Sequence, residues 1–213
     1  MKKLLNNKKI VVLFDIDYTI FNTVMFVENV YEKNYKSIGK ETFYKILEEI
    51  RTNLKQVLND KNTIRSNIAS SLWLQAGLGQ NFYEETITVL EETNKMVTVG
   101  IFSKGDEKFQ KEKIKCISRF FSEDNINITL DKYKKLPEII KKYKGNKLII
   151  VDDILKVLYT AKTLNEDIYT VWIKRKVGNE EYVFNQESIE GFSPDVTMSN
   201  LRNLIPIIKK MKV

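Results

Sequence analysis

Carboxylates follow two apolar runs of the sequence at the points where those runs end. Asp15 and Asp17 come directly after the run Ile10–Phe14, and the pair Asp152-Asp153 follows a later run. A single Asp after a strand is commonly a turn former or a helix N-cap, but two pairs after two separate runs are unusual in that role. Like charges this close raise a pKa or require a cation. The sequence therefore predicts a site where carboxylates act on a substrate or bind a metal ion.

The composition restricts the chemistry that such a site can perform. Histidine is absent from the 213 residues, which excludes a Ser-His-Asp triad, a Cys-His pair and a histidine-ligated zinc site. Cys116 is the single cysteine, which excludes an intramolecular disulfide, and we expect it to be a buried small hydrophobe. Acid–base chemistry at neutral pH must therefore come from carboxylates, lysine, tyrosine or that cysteine.

The apolar runs have the character of strands buried on both faces of a parallel sheet. They are rich in β-branched residues and recur at Ile10–Phe14, Val97–Phe102, Lys147–Val151 and Ile168–Ile173. Amphipathic helical patterns lie between them, at Glu107–Ile117, Leu136–Tyr143 and Ile154–Leu164. A short strand near Val196–Met198 and a helix over Asn200–Lys210, whose middle Pro206 leaves open, end the pattern. This alternation predicts an α/β fold in which helices flank a parallel sheet.

One interval is too long for a simple crossover connection. The residues between the first and second predicted strands far exceed the roughly dozen that a crossover needs. Their charge-rich pattern predicts four amphipathic helices, at Glu28–Ile38, Lys40–Asn59, Thr63–Leu74 and Asn81–Asn94. We therefore expect a helical domain at residues 22–85, inserted after the first strand of a catalytic core that comprises residues 1–21 and 86–213.

Polar residues at the end of the second predicted strand add to the candidate site. Ligands of open α/β sheets bind beyond the carboxyl ends of the strands. Ser103 and Lys104 occupy that position after the second apolar run. If the strands are neighbours, a hydroxyl and four carboxylates converge at one edge of the sheet.

The run Val11–Ile20 resembles the first motif of the haloacid dehalogenase-like (HAD) phosphohydrolases, a hydrophobic strand followed by Asp-x-Asp-x-Thr. The resemblance implies a Rossmann-like HAD core with a helical cap of the C1 type, inserted just after this motif. It also implies that Asp15 is the nucleophile that attacks phosphorus, that Asp17 is the general acid/base, and that Thr19 helps to bind the phosphate. The spacing suits these roles, because residues two positions apart after a strand can point to the same side.

The second and third motifs of that family have counterparts later in the chain. Ser103 matches the Ser or Thr that hydrogen-bonds the phosphoryl group, Lys104 is a further candidate contact, and residues 110–114 resemble the helix that follows this motif. The family also uses a lysine that screens the charge of the phosphate and the nucleophile. Lys132 is the favoured candidate for it, and Lys134 and Lys135 remain alternatives.

The pair Asp152-Asp153 resembles a variant of the family's fourth motif, which supplies acidic metal ligands. The more usual Gly-Asp-x-x-x-Asp form is absent, because Val157 occupies the second acidic position. Which of the two aspartates binds metal directly is therefore open, with a preference for Asp153. Together with Asp15 and the backbone carbonyl of Asp17 they form an oxygen ligand set suited to Mg²⁺.

These matches imply a Mg²⁺-dependent phosphohydrolase that cleaves a small phosphate monoester through an aspartyl-phosphate intermediate. The expected partner is a small phosphorylated metabolite, and the chain is expected to be a monomer or a homodimer. A sugar phosphomutase on the same core is an alternative, because the two activities differ in the cap. A dehalogenase is disfavoured, because dehalogenases of this family lack the acid/base that corresponds to Asp17.

The charge of the chain leaves a non-catalytic alternative. There are 35 Lys and Arg against 28 Asp and Glu, a net charge of +7, which could serve a nucleic-acid-binding or scaffold protein. The basic segments are separated and interrupted, which favours solvated helix faces and argues against nucleic acid as a partner. No run approaches the ~20 apolar residues of a membrane span, so we expect a cytoplasmic protein without a membrane partner.

Overall fold

A six-stranded parallel sheet forms the centre of the molecule. The computed structural model describes residues 9–59, 63–177, 180–182 and 188–212. The strands of the sheet are β1 (Ile10–Phe14), β2 (Thr98–Lys104), β3 (Ile126–Thr129), β4 (Lys147–Asp152), β5 (Tyr169–Ile173) and β8 (Val196–Met198). Two further strands, β6 (Arg175–Val177) and β7 (Glu180–Tyr182), form an antiparallel hairpin. The predicted α/β fold with a parallel sheet is confirmed.

Strand β1 occupies a central position in the sheet order β3-β2-β1-β4-β5-β8. It pairs with β2 on one side and β4 on the other, so that Phe14 lies level with Ile101 and Val151. All five residues of β1 are buried, as a continuous apolar run in a parallel sheet requires. Val12 and Leu13 belong to two different apolar clusters, because successive side chains point to opposite faces.

The described part of the chain contains eight α-helices. They are α1 (Thr23–Val30), α2 (Lys40–Asn59), α3 (Ile64–Gly77), α4 (Thr86–Asn94), α5 (Glu107–Ile114), α6 (Lys132–Lys142), α7 (Leu155–Leu164) and α8 (Leu204–Lys212). Leu136 and Ile139 of α6 pack with Leu158 of α7 in the cluster that contains Leu13. No described helix has both the length and the apolar character that crossing a bilayer requires.

The segment between β1 and β2 is helical but less regular at its start than the sequence predicts. α1 begins at Thr23 and continues into a π-helical turn, Tyr31–Tyr35, and a 3₁₀ turn, Lys36–Ile38. Phe43 of α2 is buried against the rings of Tyr31 and Tyr35. The predicted helix over residues 28–38 is therefore replaced by three shorter helical elements packed around an aromatic cluster.

Helix α3 packs against α5, which joins this helical segment to the sheet-flanking helices. The rings of Trp73 and Phe109 lie 5.5 Å apart at this junction. A Cβ at Gly79 would lie 2.5 Å from Sγ of Cys116, and Gly79 has a φ of +68°, so close approach and backbone conformation both favour glycine there. Cys116 itself is exposed, so the expected burial is wrong: it lies in a 3₁₀ turn on the surface.

Two elements differ from the sequence pattern for local reasons. β3 is not predicted, because it is a four-residue edge strand whose side chains are all half-buried and which carries no continuous apolar run. Pro206 does not interrupt α8, because the helix begins at Leu204 and Pro206 falls in its first turn. Proline is tolerated there, since the first N–H groups of a helix have no intrahelical partner.

Candidate active site

The loop after β1 holds its aspartates in a tight, partly strained turn. The N–H of Asp15 donates to the carbonyl of Val151 at 2.9 Å, which extends the pairing with β4 beyond the strand. The carbonyl of Ile16 then accepts from the N–H groups of three residues in the next turn, 19, 20 and 21. Tyr18 has a φ of +56°, a left-handed conformation that non-glycine residues rarely adopt. Such strain persists only where the surroundings enforce it, and it is often found at functional sites.

Three carboxylates from two neighbouring strands meet in the interior. Asp15, Asp152 and Asp153 each offer one oxygen, and these oxygens lie within 4.8 Å of one another. All three residues are buried. The sheet order explains the convergence, since β1 and β4 are hydrogen-bonded neighbours whose carboxyl ends lie at the same edge.

Lys132 is the buried cation of this cluster. Its Nζ donates to Oδ1 of Asp15 and to Oδ2 of Asp152, both at 2.6 Å. The residue is the first of α6, and its helix is capped by Asp131, whose carboxylate accepts from the N–H groups of Tyr133 and Lys134. This N-cap fixes the residue at which α6 begins and thereby places Lys132 at the buried carboxylates.

The two alternative lysines lie elsewhere. Nζ of Lys134 is 3.7 Å from the carboxylate of Asp131, and its side chain is 88% exposed. Lys135 pairs with Glu138 one turn further along the same helix. Among the three candidates, Lys132 is the one that the structure brings to the buried carboxylates.

The excess of carboxylates shifts the pKa values of the cluster. Burial raises the pKa of Asp15 to about 7, helped by the charge of Asp152 and opposed by Lys132. Burial and the charges of Asp15 and Asp152 also raise the pKa of Asp153 well above its usual range. Burial alone would lower the pKa of Lys132, but its two carboxylate partners outweigh it and raise that pKa. The cluster therefore favours the uptake of a proton or of another cation.

The two aspartates after β4 differ in what their oxygens contact. Oδ1 of Asp152 accepts from the N–H of Ile154 at 2.9 Å and its Oδ2 accepts from Lys132, so both oxygens are engaged. Oδ1 of Asp153 is buried without a hydrogen-bond partner, while the backbone carbonyl of this residue accepts from Nε1 of Trp172. An unpartnered buried carboxylate oxygen is costly, which suits a ligand atom for a cation.

Asp17 lies outside this cluster and is held by three other side chains. Its carboxylate accepts from Oγ1 of Thr23 at 2.6 Å, from Nε2 of Gln110 at 2.8 Å, and from Nζ of Lys113 at 2.7 and 2.8 Å. Burial would raise the pKa of Asp17, but Lys113 and these hydrogen bonds outweigh it and hold the pKa below its ordinary value. Asp17 is therefore a carboxylate at neutral pH in this arrangement.

Two buried hydroxyls of the site have no partner in the described residues. Oγ of Ser103, at the carboxyl end of β2, and Oγ1 of Thr19 are both unsatisfied. Lys104 has an exposed side chain, and its backbone carbonyl accepts from Nε2 of Gln110. Ser103 and Thr19 thus have free donors for a bound anion, whereas the side chain of Lys104 extends towards solvent.

A buried ion pair between Arg175 and Glu85 contacts the loop that follows β1. Arg175 donates from Nη1 to Oε1 of Glu85 at 2.6 Å and from Nη2 to the carbonyl of Thr19. Its guanidinium lies 3.7 Å from the ring centre of Tyr83, and Nη1 also reaches the carbonyl of Ser199. Removing either charge would leave the other buried and unpaired, so the pair is a structural requirement for this loop.

Neither the partners of Asp17 nor the pairing of Arg175 with Glu85 is predicted from the sequence. One signal was present for Lys113: it lies four residues after Phe109 and four before Ile117, so these three residues share one face of the helix that the sequence predicts over Glu107–Ile117. A lysine at such a position must pair with a carboxylate when it is buried. No comparable signal links Arg175 to Glu85, because ninety residues separate them.

The ligand set fits Mg²⁺. The cluster offers carboxylate oxygens from three residues, one of them unpartnered, and such hard oxygen ligands are those that Mg²⁺ prefers. The backbone carbonyl of Asp17 remains a proposed further ligand, whereas its carboxylate is occupied by Lys113 and Gln110.

Comparison with known proteins shows which fold this arrangement belongs to. No protein-family model matches the chain, and no curated protein matches it. A haloacid dehalogenase-like hydrolase from Burkholderia xenovorans is similar in structure, with a TM-score of 0.73, 21% sequence identity, and coverage of 97% of this chain and 99% of that one.

Two further solved structures are less similar to this chain, and one of them is a dehalogenase. A HAD hydrolase from Bacillus subtilis bound to magnesium has a TM-score of 0.62 and 13% identity, and 94% of this chain and 99% of that one are covered. The L-2-haloacid dehalogenase from Xanthobacter autotrophicus has a TM-score of 0.61 and 15% identity, with coverage of 96% and 99%. The chain therefore has the fold of the haloacid dehalogenase-like hydrolases.

Proposed function

We propose that this chain is a Mg²⁺-dependent phosphohydrolase that cleaves a small phosphate monoester through an aspartyl-phosphate at Asp15. The observation that carries the proposal is the buried cluster at the carboxyl edge of the sheet. There Asp15 shares Lys132 with Asp152, and Asp153 adds a third carboxylate. A carboxylate nucleophile must act in its ionised form, and a lysine at 2.6 Å favours that form.

The first proposed step transfers the phosphoryl group to the protein. An oxygen of Asp15 forms a bond to phosphorus as the bond to the leaving oxygen breaks on the opposite side. Lys132 offsets the negative charge of the nucleophile and of the phosphoryl oxygens. Ser103 and Thr19, whose hydroxyls are buried without partners, donate hydrogen bonds to the phosphoryl group. Lys104 remains a candidate for contact with the outer part of the phosphate.

The second proposed step regenerates Asp15. Water attacks phosphorus, the bond to Asp15 breaks, and Asp17 accepts the proton that the water loses. The carboxylate form in which Lys113 holds Asp17 suits this role as an acceptor. To protonate a leaving oxygen in the first step, Asp17 must instead carry a proton and release part of its contact with Lys113.

A divalent cation would balance the charge of the site. Four aspartates face two buried lysines there, so the protein alone leaves an excess of negative charge. Mg²⁺ held by Asp15 and Asp153, with Asp152 and the carbonyl of Asp17 nearby, would supply positive charge to the phosphoryl oxygens. The magnesium bound to the Bacillus subtilis protein supports this choice of metal by analogy of fold.

We propose further that residues 22–85 form a cap over this site. Asp15, Ser103 and Lys132 are all buried, so substrate cannot reach them without movement of the covering elements. Such an enclosed site suits a small phosphorylated metabolite better than a macromolecule.

Haloacid dehalogenation is the second candidate, because several proteins of this fold are dehalogenases. It would also use Asp15 as a nucleophile, but attack at carbon releases a halide and needs no cation. The buried excess of carboxylates, with an unpartnered oxygen on Asp153, favours the phosphohydrolase.

A substrate screen tests the proposal. The purified protein and the variant Asp15→Asn are assayed for phosphate release from a panel of phosphate monoesters, with Mg²⁺ or with EDTA, and for halide release from 2-haloacids. We expect phosphate release by the unmodified protein with Mg²⁺ and none by the variant. Equal release of phosphate by both proteins would refute the assignment of Asp15 as the nucleophile. Release of halide would support the dehalogenase instead. Isomerisation of a sugar phosphate without phosphate release would support a mutase.

A further inference from the structure

The carboxylate of Asp17 is fixed by one face of α5. Gln110 and Lys113 lie one turn apart on this helix, and both donate to Asp17. Thr23, the first residue of α1, donates to the same carboxylate. Four hydrogen bonds therefore converge on two oxygens, close to the full accepting capacity of a carboxylate.

Lys113 differs from the other lysines of its helix. Its side chain is 5% exposed, and its Nζ lies 5.4 Å and 4.9 Å from the ring centres of Phe21 and Phe109. Lys111 lies on the outer face and pairs with Glu107 and with a second exposed carboxylate. A buried ammonium between two aromatic rings is costly unless it is paired, and Asp17 is its carboxylate partner.

Gln110 connects this arrangement to the end of β2. Its Nε2 donates to the carbonyl of Lys104 as well as to Asp17, both at 2.8 Å. Gly105 makes this approach possible: a Cβ there would lie 2.6 Å from Nε2 of Gln110, and the φ of +151° disfavours other residues. The strand that carries Ser103 and the loop that carries Asp17 are thus joined through one amide group.

We propose that Lys113 is a positioning residue for the reaction: together with Gln110 it sets the place and orientation of the Asp17 carboxylate beside the nucleophile. This inference rests on the proposed function, because it assigns Lys113 an effect on the proton-transfer residue of that reaction. Lys113 acts through Asp17 and does not contact the substrate. Its loss should therefore lower kcat with little change in KM.

A double-mutant cycle separates this role from a general structural one. In the unmodified background, Lys113→Met should lower kcat by roughly 10- to 100-fold, the loss expected when a catalytic group is misplaced by about 1 Å. In the background of Asp17→Ala, which has no carboxylate to position, the same substitution should change kcat by less than about 2-fold. Equal losses in both backgrounds, no loss in either, or a rise in KM at unchanged kcat would refute the proposal.

A matched substitution and a second variant control for folding. Lys111→Met removes a lysine from the same helix, but from an exposed ion pair, and should leave kcat unchanged. Gln110→Leu removes the second donor and should reproduce the pattern of Lys113→Met in both backgrounds, with a smaller loss. If Lys113→Met does not fold, as judged by circular dichroism, Gln110→Leu decides the outcome by the same comparison.

A structural readout keeps this inference separate from the proposed function. In a crystal structure of Lys113→Met, the carboxylate of Asp17 should leave Nε2 of Gln110, from which it lies 2.8 Å in the unmodified protein. A carboxylate that keeps its contacts with both Gln110 and Thr23 would refute the positioning role, whatever the activity. Absence of phosphate release by the unmodified protein would refute the proposed function instead, and the crystal structure would still decide the role of Lys113.

Discussion

Acidification in the absence of divalent cations should stabilise the protein against urea. Burial and the neighbouring Asp152 raise the pKa of Asp15 from 3.8 to about 7, against the opposing effect of Lys132. In the unfolded chain the same carboxyl has its ordinary pKa, so between these two values the folded protein binds a proton that the unfolded chain has released. The resulting stabilisation is complete below the unfolded pKa and is lost as the pH rises through about 7.

The size of this stabilisation follows from the difference between the folded and unfolded pKa values of Asp15. Each unit of pKa difference corresponds to about 1.4 kcal/mol, and the folded carboxyl is already half protonated at pH 7, so lowering the pH from 7 to 5 should raise the free energy of unfolding by about 2.3 kcal/mol. Asp17, Glu85 and Asp195 have lowered pKa values and act in the opposite sense. Their contribution is lost only as the pH falls below about 5, where their unfolded forms begin to take up protons. The rise between pH 7 and pH 5 is therefore not masked by them.

Mg²⁺ should replace the proton as the balancing charge. At pH 8, Mg²⁺ at a hundred times its Kd should raise the free energy of unfolding by about 2.7 kcal/mol and flatten the pH dependence. Urea unfolding followed by circular dichroism, at pH 5 to 8 in EDTA or in excess Mg²⁺, measures both effects. Asp15→Asn is the control, and it should reduce the slope, because it removes one of the two carboxyls whose pKa is raised. Stability in EDTA that stays constant or falls from pH 8 to pH 5, or an unchanged slope in the control, would refute this reasoning.

Three further substitutions test other parts of the site. Lys132→Met should lower the free energy of unfolding by about 3–5 kcal/mol in urea, since it leaves buried carboxylates unpaired, whereas Lys134→Met should change it by less than about 0.5 kcal/mol. Ser103→Ala removes a hydroxyl without a partner, so stability should stay within about 0.5 kcal/mol while kcat/KM falls roughly 10- to 100-fold. Arg175→Met should cost about 3–5 kcal/mol in the same urea assay, because Glu85 is left buried without its cation; a loss below 1 kcal/mol would contradict the structural role of that pair.

The positions of the strands and of most of the site follow from local sequence features. A continuous apolar run buries β1 on both faces, and a parallel sheet then brings Asp15 and Asp152 to one edge. For the site lysine the sequence favours Lys132 but leaves Lys134 and Lys135 as alternatives. Its identity depends on where α6 begins, and Asp131 sets that point by capping the helix.

The remaining features depend on long-range packing. Two of the three partners of Asp17 come from a helix some ninety residues later, and no local pattern indicates that the lysine of this helix will turn inward. The side chains of edge strand β3 are only half-buried, so this strand lacks the continuous apolar run that marks the central strands. Cys116 is exposed because Ile117 and Phe120 are the residues of its 3₁₀ turn that face the interior.

Trapping of the covalent intermediate tests the central claim most directly. The protein is mixed with a phosphate monoester that it hydrolyses, quenched in acid and treated with borohydride, which reduces an acyl phosphate to an alcohol. Mass spectrometry of the digested protein should then show homoserine at position 15, in the presence of substrate and not in its absence. An active protein whose residue 15 remains aspartate, or whose modification maps to another residue, would contradict the assignment of Asp15 as the nucleophile.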